Sequence, residues 1–369
     1  MVRIATMRDV AGRAGVSVTT VSRVLNGTGY VRADTRRLVE AAIAQLGYVP
    51  SASARGLVAS RTGLLGLCLP DVGPVADLAA PARHGARGAV EVVTDEAEPG
   101  VLSWGSRYFG EVVRGAEYAA WQAGYTLTLV VARPPEVEAR VRELAGLVDG
   151  LVVVAGTLPD DLLEHVAHRV PVVLVAGPRP AGGFDHVGVG NARGVRALVE
   201  HLATDHGIRD LVYVGGRADA PDEIDRARGF HAALRALGLP APGRPGPRGD
   251  FSRATGRRLA RALLAERRRH GTPLPGALVC ANDETALGFL DVFTAEGVTV
   301  PDEVALTGFD GIHEGRHATP RLTTVEQPMT DLGRLAVELL DACLDDPRLP
   351  RQNRVVPVRV LLRDSCGRH

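Results

Sequence analysis

Residues 6–26 constrain the fold more than any other stretch, because they read as two short helices joined by a tight turn. Thr6, followed three residues later by Asp9, forms a capping box that predicts a helix beginning at the next residue, with the carboxylate at the positive end of the helix dipole. Gly15 permits a sharp turn, and Ser17 can cap the second helix. The pattern predicts a helix-turn-helix.

The second predicted helix has an inward apolar face and an outward polar edge. Val21, Val24 and Leu25 share the inward face,. The outward edge suits contact with phosphates and base edges in the major groove of DNA, and it consists of Val18, Thr19, Ser22 and Arg23. An ordinary helical hairpin at a domain edge has the same spacing, so spacing alone leaves that alternative open.

The charge distribution favours a nucleic-acid partner. Residues 1–61 contain nine Arg against two Asp and one Glu, which gives +6, whereas the whole chain sums to zero. The remaining residues therefore carry −6. A basic head on an acidic body is typical of proteins that contact nucleic acid.

Three motifs in the first 50 residues carry a family resemblance. They are Asp-Val-Ala-x-x-Ala-Gly-Val-Ser at 9–17, Thr-Val-Ser-Arg-Val-Leu-Asn-Gly at 20–27 and Leu-Gly-Tyr-Val-Pro at 46–50. Together they resemble the LacI/GalR family of bacterial repressors, and matches continue at intervals to Gln327. The resemblance implies a cytoplasmic homodimeric transcriptional regulator that binds palindromic double-stranded operator DNA. It also implies that a small polar effector, such as a sugar, modulates this binding.

Carried over residue by residue, the resemblance assigns DNA contacts in the head and in the hinge that follows it. Arg23, with Val18 and Thr19, is expected to read bases, whereas phosphates are expected to bind Thr6, Ser17, Ser22 and Arg32. Residues 51–62 resemble the family's hinge helix, which folds on DNA and inserts a leucine into the minor groove. The matching residue is Leu57, with Ala54 and Arg55 beside it. A plain linker remains the alternative.

The head is predicted to end at residue 50. Residues 32–46 form a third predicted helix, which Gly47 can terminate, and its inward residues are Leu38, Val39, Ala42, Ile43 and Leu46,. The expected organisation is a head at 1–50, a hinge at 51–62 and a body at 63–369.

The body alternates short apolar runs with helical segments. Continuous Val/Leu runs of this kind predict parallel strands buried on both faces of a doubly wound α/β fold. The runs are Leu64–Leu69, Tyr125–Val131, Gly150–Val154, Val170–Val175, Asp210–Val214, Ala277–Cys280 and Val304–Phe309. The resemblance implies two periplasmic-binding-protein-like subdomains, an N-subdomain at about 63–188 and 328–355 and a C-subdomain at about 189–327 and 356–369.

One loop departs from the family pattern. Asp71 follows the first predicted strand, but the helix that normally comes soon afterwards is delayed by an insertion at about 72–105,. The insertion is rich in Pro, Gly and Ala. We expect it near the mouth of an effector cleft, where it would tune effector choice or access rather than DNA binding; a disordered, inert insertion remains the alternative.

The effector is expected at the carboxyl ends of the strands, where ligands of open α/β sheets bind. The matching residues are Asp71, Phe109, Arg226, Asn282 and Asp310. Asn282 could instead serve only as a helix cap, and Arg226 could be a surface charge. After Val175 the chain has Ala-Gly where the family often has Asp, so the pocket is expected to have lost carboxylates.

Other function classes lack their signatures. The sequence contains no nucleophile elbow, no phosphate-binding Gly-Lys-Ser/Thr loop and no dinucleotide fingerprint, so no enzyme activity is expected. The four cysteines form no C-x-x-C pair, and neither a cofactor nor a metal is expected,. No apolar run approaches the roughly 20 residues that span a bilayer. Two alternative functions remain. One is a regulator of the same architecture that does not respond to a small molecule, and the other, from a different class, is a solute-binding protein.

Overall fold

The computed structural model describes residues 5–26, 29–48, 61–71, 106–133, 135–178, 183–240 and 246–369. The chain divides into two compact units, of which the first is residues 1–64 with 147–149 and the second is the remainder. Within the described ranges, no helix is long and apolar enough to span a membrane. The hinge residues Ala54, Arg55 and Leu57, and the insertion at 72–105, lie outside the described residues.

In the described part of the first unit there are three helices, α1 (Met7–Ala14), α2 (Val18–Asn26) and α3 (Ala33–Leu46). Their shared core is small, with Val10, Val21 and Val39 fully buried. Gly15 and Gly47 end α1 and α3 with φ of +67° and +59°, a left-handed conformation that glycine adopts without steric cost,.

The described residues of the second unit form two sheets, each with helices on its faces. The first sheet has the order β10-β5-β4-β3-β1-β2, and the second has the order β11-β9-β8-β7-β6. The strands are β1 (Leu64–Pro70), β2 (Thr126–Ala132), β3 (Gly150–Val154), β4 (Val172–Val175), β5 (Asp185–Val189), β6 (Leu211–Val214), β7 (Ala277–Cys280), β8 (Ala305–Asp310), β9 (Thr323–Glu326), β10 (Asn353–Val356) and β11 (Arg359–Leu361).

The helices of this unit connect the strands. They are α4 (Ser106–Gln122), α5 (Val137–Ala145), α6 (Asp160–Ala167), α7 (Asn191–Thr204), α8 (Pro221–Ala236), α9 (Arg253–His270), α10 (Asp283–Ala295), α11 (His313–His317) and α12 (Met329–Asp345). The chain passes from one sheet to the other after β5, after β9 and between β10 and β11. The α/β fold class with a helical head is confirmed, and most pairings are parallel, with β11 antiparallel to β9.

Two expectations about burial are wrong. Leu38 is 57% exposed, because the buried face of α3 is centred on Val39 and Ala42 and Leu38 points away from it. The strand predicted at Tyr125–Val131 forms as β2, but it lies at the edge of its sheet and is not buried on both faces, since Leu129 is 48% exposed.

Glycines bring paired helices into backbone contact. A Cβ added at Gly115 in α4 would lie 1.8 Å from the carbonyl oxygen of Thr330, and one added at Gly333 in α12 would lie 1.9 Å from that of Val112. The two helices therefore pack without side chains between them at this crossing. Real Cβ atoms do not approach backbone oxygen so closely, so larger residues cannot be accommodated without separating the helices.

We expect Gly115→Ala to lower the free energy of unfolding by about 1–3 kcal/mol, through overpacking against α12. Gly110→Ala is the matched control, because it lies on the same helix and a Cβ there meets nothing within 4 Å. The control should be neutral or stabilising by up to about 1 kcal/mol, since alanine favours helix over glycine. Urea unfolding followed by circular dichroism measures both, and equal effects would contradict the close crossing.

Candidate DNA-binding head and effector pocket

The predicted capping box sets the start of α1. The Thr6 side chain accepts a hydrogen bond from the Asp9 amide at 3.3 Å, and the Thr6 amide donates to the Asp9 carboxylate at 2.8 Å. Ser17 Oγ similarly accepts from the Thr20 amide at 3.1 Å, which caps α2. These local bonds orient α2 in the helix-turn-helix.

The outward edge of α2 is accessible. Val18 is 42% exposed, Thr19 and Arg23 are exposed, and Ser22 is half-buried. Arg32 is exposed at the N-terminus of α3. The exposed guanidinium and methyl groups provide the donors and apolar contacts that read base edges.

The second unit contains a cavity of about 330 Å³ where the carboxyl ends of strands from both sheets meet helix N-termini. Its lining includes all five predicted effector residues, Asp71, Phe109, Arg226, Asn282 and Asp310. It also includes Tyr108, which adjoins Phe109 in the sequence, and four residues that the sequence did not assign to the pocket, Arg217, Asp219, Asp222 and Phe251.

Arg226 is buried at the centre of a bonding network. Its Nε donates to Asn191 Oδ1 at 2.9 Å and its Nη1 donates to the Ala281 carbonyl at 2.7 Å. Nη1 also lies 3.6 Å from Asp310 Oδ1, and the guanidinium carbon stacks 3.8 Å from the centre of the Phe309 ring. Burial disfavours the charged guanidinium, but the carboxylates of Asp310 and Asp222 offset this and raise the pKa of Arg226,.

Asp310 presents a buried carboxylate to the cavity. Burial raises its pKa to about 6, although Arg226 and a 2.6 Å hydrogen bond from Gln327 Nε2 act in the opposite direction. The backbone of Asp310 adopts a φ of +121°, a value that residues other than glycine rarely adopt,. The following turn is held by Asp283, whose carboxylate accepts the amides of Gly311 and Ile312 at 2.8 Å each.

Asn282 has a structural role as well as a place in the lining. Its Oδ1 accepts from the Thr285 amide at 3.1 Å and caps α10, while Nδ2 donates to the Phe251 carbonyl at 2.9 Å. Both functional groups of the amide are therefore engaged within the protein. Phe109 is 8% exposed and packs edge-on against Tyr108, and Asp71 lies 3.8 Å from Arg133.

Asp222 corrects the expectation that the pocket has lost carboxylates. Its Oδ1 accepts from the Gly177 amide at 2.8 Å and from Asn191 Nδ2 at 2.6 Å. A carboxylate thus reaches the turn after β4 from α8 rather than from the residues after Val175. In the sequence, Asp222 is one of two acidic residues that follow Pro221, a pattern typical of a helix N-terminus,. This pattern does not indicate which residues Asp222 contacts in the fold.

Comparison with known proteins decides the family. Residues 6–51 match the model of bacterial regulatory proteins of the lacI family, and residues 199–366 match that of periplasmic binding protein-like domains. The HTH-type transcriptional repressor PurR of Erwinia tasmaniensis is 31% identical over 91% of this chain and 89% of its own length. The chain belongs to the LacI family. It is accordingly a DNA-binding transcriptional repressor controlled by a small molecule, and not an enzyme.

Solved structures of LacI-type regulators extend this likeness over the whole chain. The lac repressor dimer bound to operator and the anti-inducer ONPF matches with a TM-score of 0.79 and 25% identity, covering 99% of this chain and all of that one. A complex of the transcriptional regulator CelR with cellobiose matches with a TM-score of 0.66 and 27% identity, covering 98% of this chain and 99% of that one.

We expect Arg226→Met to destabilise the body by roughly 3–5 kcal/mol, because it leaves buried carboxylates without their counter-ion. Arg228→Met is the control on the same helix, since the Arg228 side chain is 66% exposed and pairs with Asp225 on the surface. The control substitution should lower the free energy of unfolding by less than about 1 kcal/mol. Adding Asp310→Asn to Arg226→Met should restore part of the loss in urea unfolding. Equal losses for the two arginine variants would contradict the buried network.

Proposed function

We propose that the chain acts as a homodimer that binds a palindromic operator through the outward edge of α2. Arg23, Val18 and Thr19 face the bases in the major groove. The phosphates are held by Thr6, Ser17, Ser22 and Arg32. The exposure of this edge on a compact, locally capped head supports the proposal. Two heads on a dimer would contact half-sites about one helical turn apart, and such a regulator acts in the bacterial cytoplasm with the chromosome.

We further propose that residues 51–62 act as a hinge in which Ala54 and Arg55 flank Leu57 at the minor groove. The motif resemblance supports this assignment. A hinge that folds only on DNA contributes to specific complexes more than to nonspecific ones. Leu57→Ala should therefore weaken operator binding by a larger factor than it weakens binding to random DNA in the same titration.

The effector is proposed to be a small, neutral, hydroxyl-rich molecule bound in the cavity of the second unit. The observation that carries this proposal is the convergence of Arg226 and Asp310, both buried, on one cavity of about 330 Å³. A carboxylate accepts two hydroxyl hydrogen bonds, and a guanidinium donates several. Tyr108, Phe109 and Phe251 offer aromatic surface for the apolar face of a sugar ring,.

The charges in the cavity favour a neutral effector over an anion. Four carboxylates line it against two guanidinium groups, namely Asp71, Asp219, Asp222 and Asp310 against Arg217 and Arg226. Arg217 is engaged by Asp219 at 2.6 Å, and Arg226 lies beside Asp310. Neither cation is thus available alone to balance a bound carboxylate or phosphate.

Coupling to DNA follows from the position of the cavity between strands of both sheets. Tyr108 and Asp71 lie on the side of the first sheet, whereas Arg226 and Asp310 lie on the side of the second. A ligand that contacts both sides binds one closure of the two subdomains better than another. If the operator also prefers one closure, the effector changes operator affinity, and by linkage the operator changes effector affinity by the same factor.

Arg23→Ala should lower operator affinity by roughly 5- to 150-fold, the equivalent of about 1–3 kcal/mol, and weaken the base preference at one operator position. Arg37→Ala is the matched control, because Arg37 is an exposed head cation paired with Asp34. Selection of bound fragments from a random DNA library identifies the operator, and fluorescence anisotropy at fixed salt measures both variants. Equal losses of operator affinity in the two variants would show that Arg23 contributes only its positive charge and reads no base.

Effector affinity should fall as the pH drops below about 6, because protonation of Asp310 removes its negative charge and turns one of its oxygens from an acceptor into a donor,. A thermal-shift screen of mono- and disaccharides finds the effector, and calorimetric titration from pH 7.5 to 5 measures its affinity. Asp310→Asn should bind more weakly at pH 7.5 and show a flattened pH profile. If no sugar raises the melting temperature, the proposal of a sugar effector is wrong. Operator binding is measured separately, so this result leaves the proposed binding to DNA unaffected.

A further inference from the structure

A cluster of three histidines and one cysteine lies in the second unit, apart from the residues that line the effector cavity. His201 is near the end of α7, His206 lies in the turn after it, and Cys366 and His369 belong to the segment that follows β11. One potential ligand atom from each side chain lies within 4.8 Å of all the others. Within the described residues, it is the one group of three or more His, Cys, Asp or Glu side chains placed so that they could bind a metal ion together. We propose that these four side chains bind one zinc ion.

The distances within the cluster match those of a tetrahedral site. The Nε2 atoms of His201 and His206 are 3.1 Å apart, and Cys366 Sγ lies 3.4 Å from His369 Nε2. Tetrahedral zinc with ordinary bond lengths separates two nitrogen ligands by about 3.3 Å and a sulfur from a nitrogen by about 3.6 Å. These two pairs already have nearly tetrahedral spacing, and the remaining pairs, all within 4.8 Å, would close by up to about an ångström around an ion,.

Neighbouring groups orient the ligands for metal binding. Asp205 Oδ2 lies 2.6 Å from His201 Nδ1, which places the imidazole proton on Nδ1 and leaves the lone pair of Nε2 facing the cluster. Histidine ligands of zinc commonly have such a carboxylate partner on the other ring nitrogen. Thr323 Oγ1 lies 3.0 Å from Cys366 Sγ and donates its own proton to the Arg363 carbonyl at 3.0 Å, so it fixes the position of the sulfur beside the three imidazoles.

Burial protects the site and leaves one side open. Cys366 is buried, His201 and His206 are half-buried, and His369 is exposed, so an ion can enter on the side of His369. Gly367 permits this arrangement, because a Cβ there would lie 2.5 Å from the His206 ring.

The donor set favours zinc over hard cations. Imidazole and thiolate suit borderline-soft transition metals, whereas magnesium and calcium prefer oxygen. Four protein ligands fill a tetrahedral shell and leave no open position, which is typical of a structural rather than a catalytic zinc. Without metal, His201 and His206 share an N–H···N bond, and His369 Nε2 bonds the Arg363 carbonyl at 3.1 Å.

The ion would attach the segment after β11 to the end of α7. The other end of α7 begins at Asn191, which holds both Arg226 and Asp222 beside the effector cavity. The metal therefore fixes a helix that contacts the effector site at its far end. This inference rests on the cluster alone and does not depend on the identity of the effector.

Titration of the metal-free full-length protein with Co²⁺ tests the proposal, because a cobalt-thiolate bond gives a charge-transfer absorption band in the near ultraviolet. We expect one equivalent of Co²⁺ per chain, a thiolate band, and displacement by one equivalent of Zn²⁺. Zinc should also raise the melting temperature. His369→Ala should weaken zinc binding at least tenfold and remove this stabilisation, while Cys366→Ser should abolish the band.

His165→Ala, which removes an exposed histidine outside the cluster, is the matched control and should bind Zn²⁺ like the unmodified chain. Because His369 is exposed, its alanine variant keeps the metal-free melting temperature and remains decisive even if Cys366→Ser misfolds. The absence of a thiolate band, or unchanged zinc affinity in His369→Ala, would overturn the proposal.

Discussion

The buried guanidinium of Arg226 is the interaction on which the effector cavity depends. It projects from α8, bonds Asn191 at the start of α7 and the Ala281 carbonyl after β7, and lies beside Asp310 at the end of β8. One side chain thus holds together four segments that converge at the carboxyl edge of the second sheet. Burying a guanidinium charge costs free energy unless carboxylates compensate it, so the acidity of the cavity and the position of this arginine depend on each other,.

Asp222 and Asp283 extend the same arrangement to the surrounding turns. Asp222 fixes the turn after β4 through the Gly177 amide, and Asp283 fixes the turn after β8 through two amides. Each carboxylate lies in the first turn of a helix, where the helix dipole stabilises negative charge,. The floor of the cavity is therefore organised by backbone amides before any ligand binds, which reduces the ordering that binding requires.

Features with a strong local signal could be predicted from the sequence. The capping box at Thr6, the terminating Gly47 and the strand at Gly150–Val154 each depend on residues close together in the chain. The exposure of Leu38 and the edge position of β2 were missed because they depend on which neighbours a surface meets. The short strands β9, β10 and β11 lack a long apolar run, so only their partners identify them.

The candidate site residues also divide into those with a local sequence signal and those that only the fold brings together. Arg226 and Asp310 were found through motifs that resemble a known family, whereas Asp222 acts on the cavity from a helix end that carries an ordinary acidic pattern. The histidine and cysteine cluster joins residues more than 150 positions apart, His201 and Cys366, and no spacing rule connects them. Long-range constellations of this kind become visible only once the topology is known.

The three passages of the chain between the two sheets impose an order on synthesis. The first sheet takes its edge strand β10 from residues 353–356, although its other strands precede residue 190. A ribosome therefore makes β6 to β9 of the second sheet while the first sheet still lacks both β10 and the covering helix α12. During that interval β5 has an open edge, and the apolar face that α12 later covers has no partner, so the nascent chain passes through a stage at which it is prone to aggregation,.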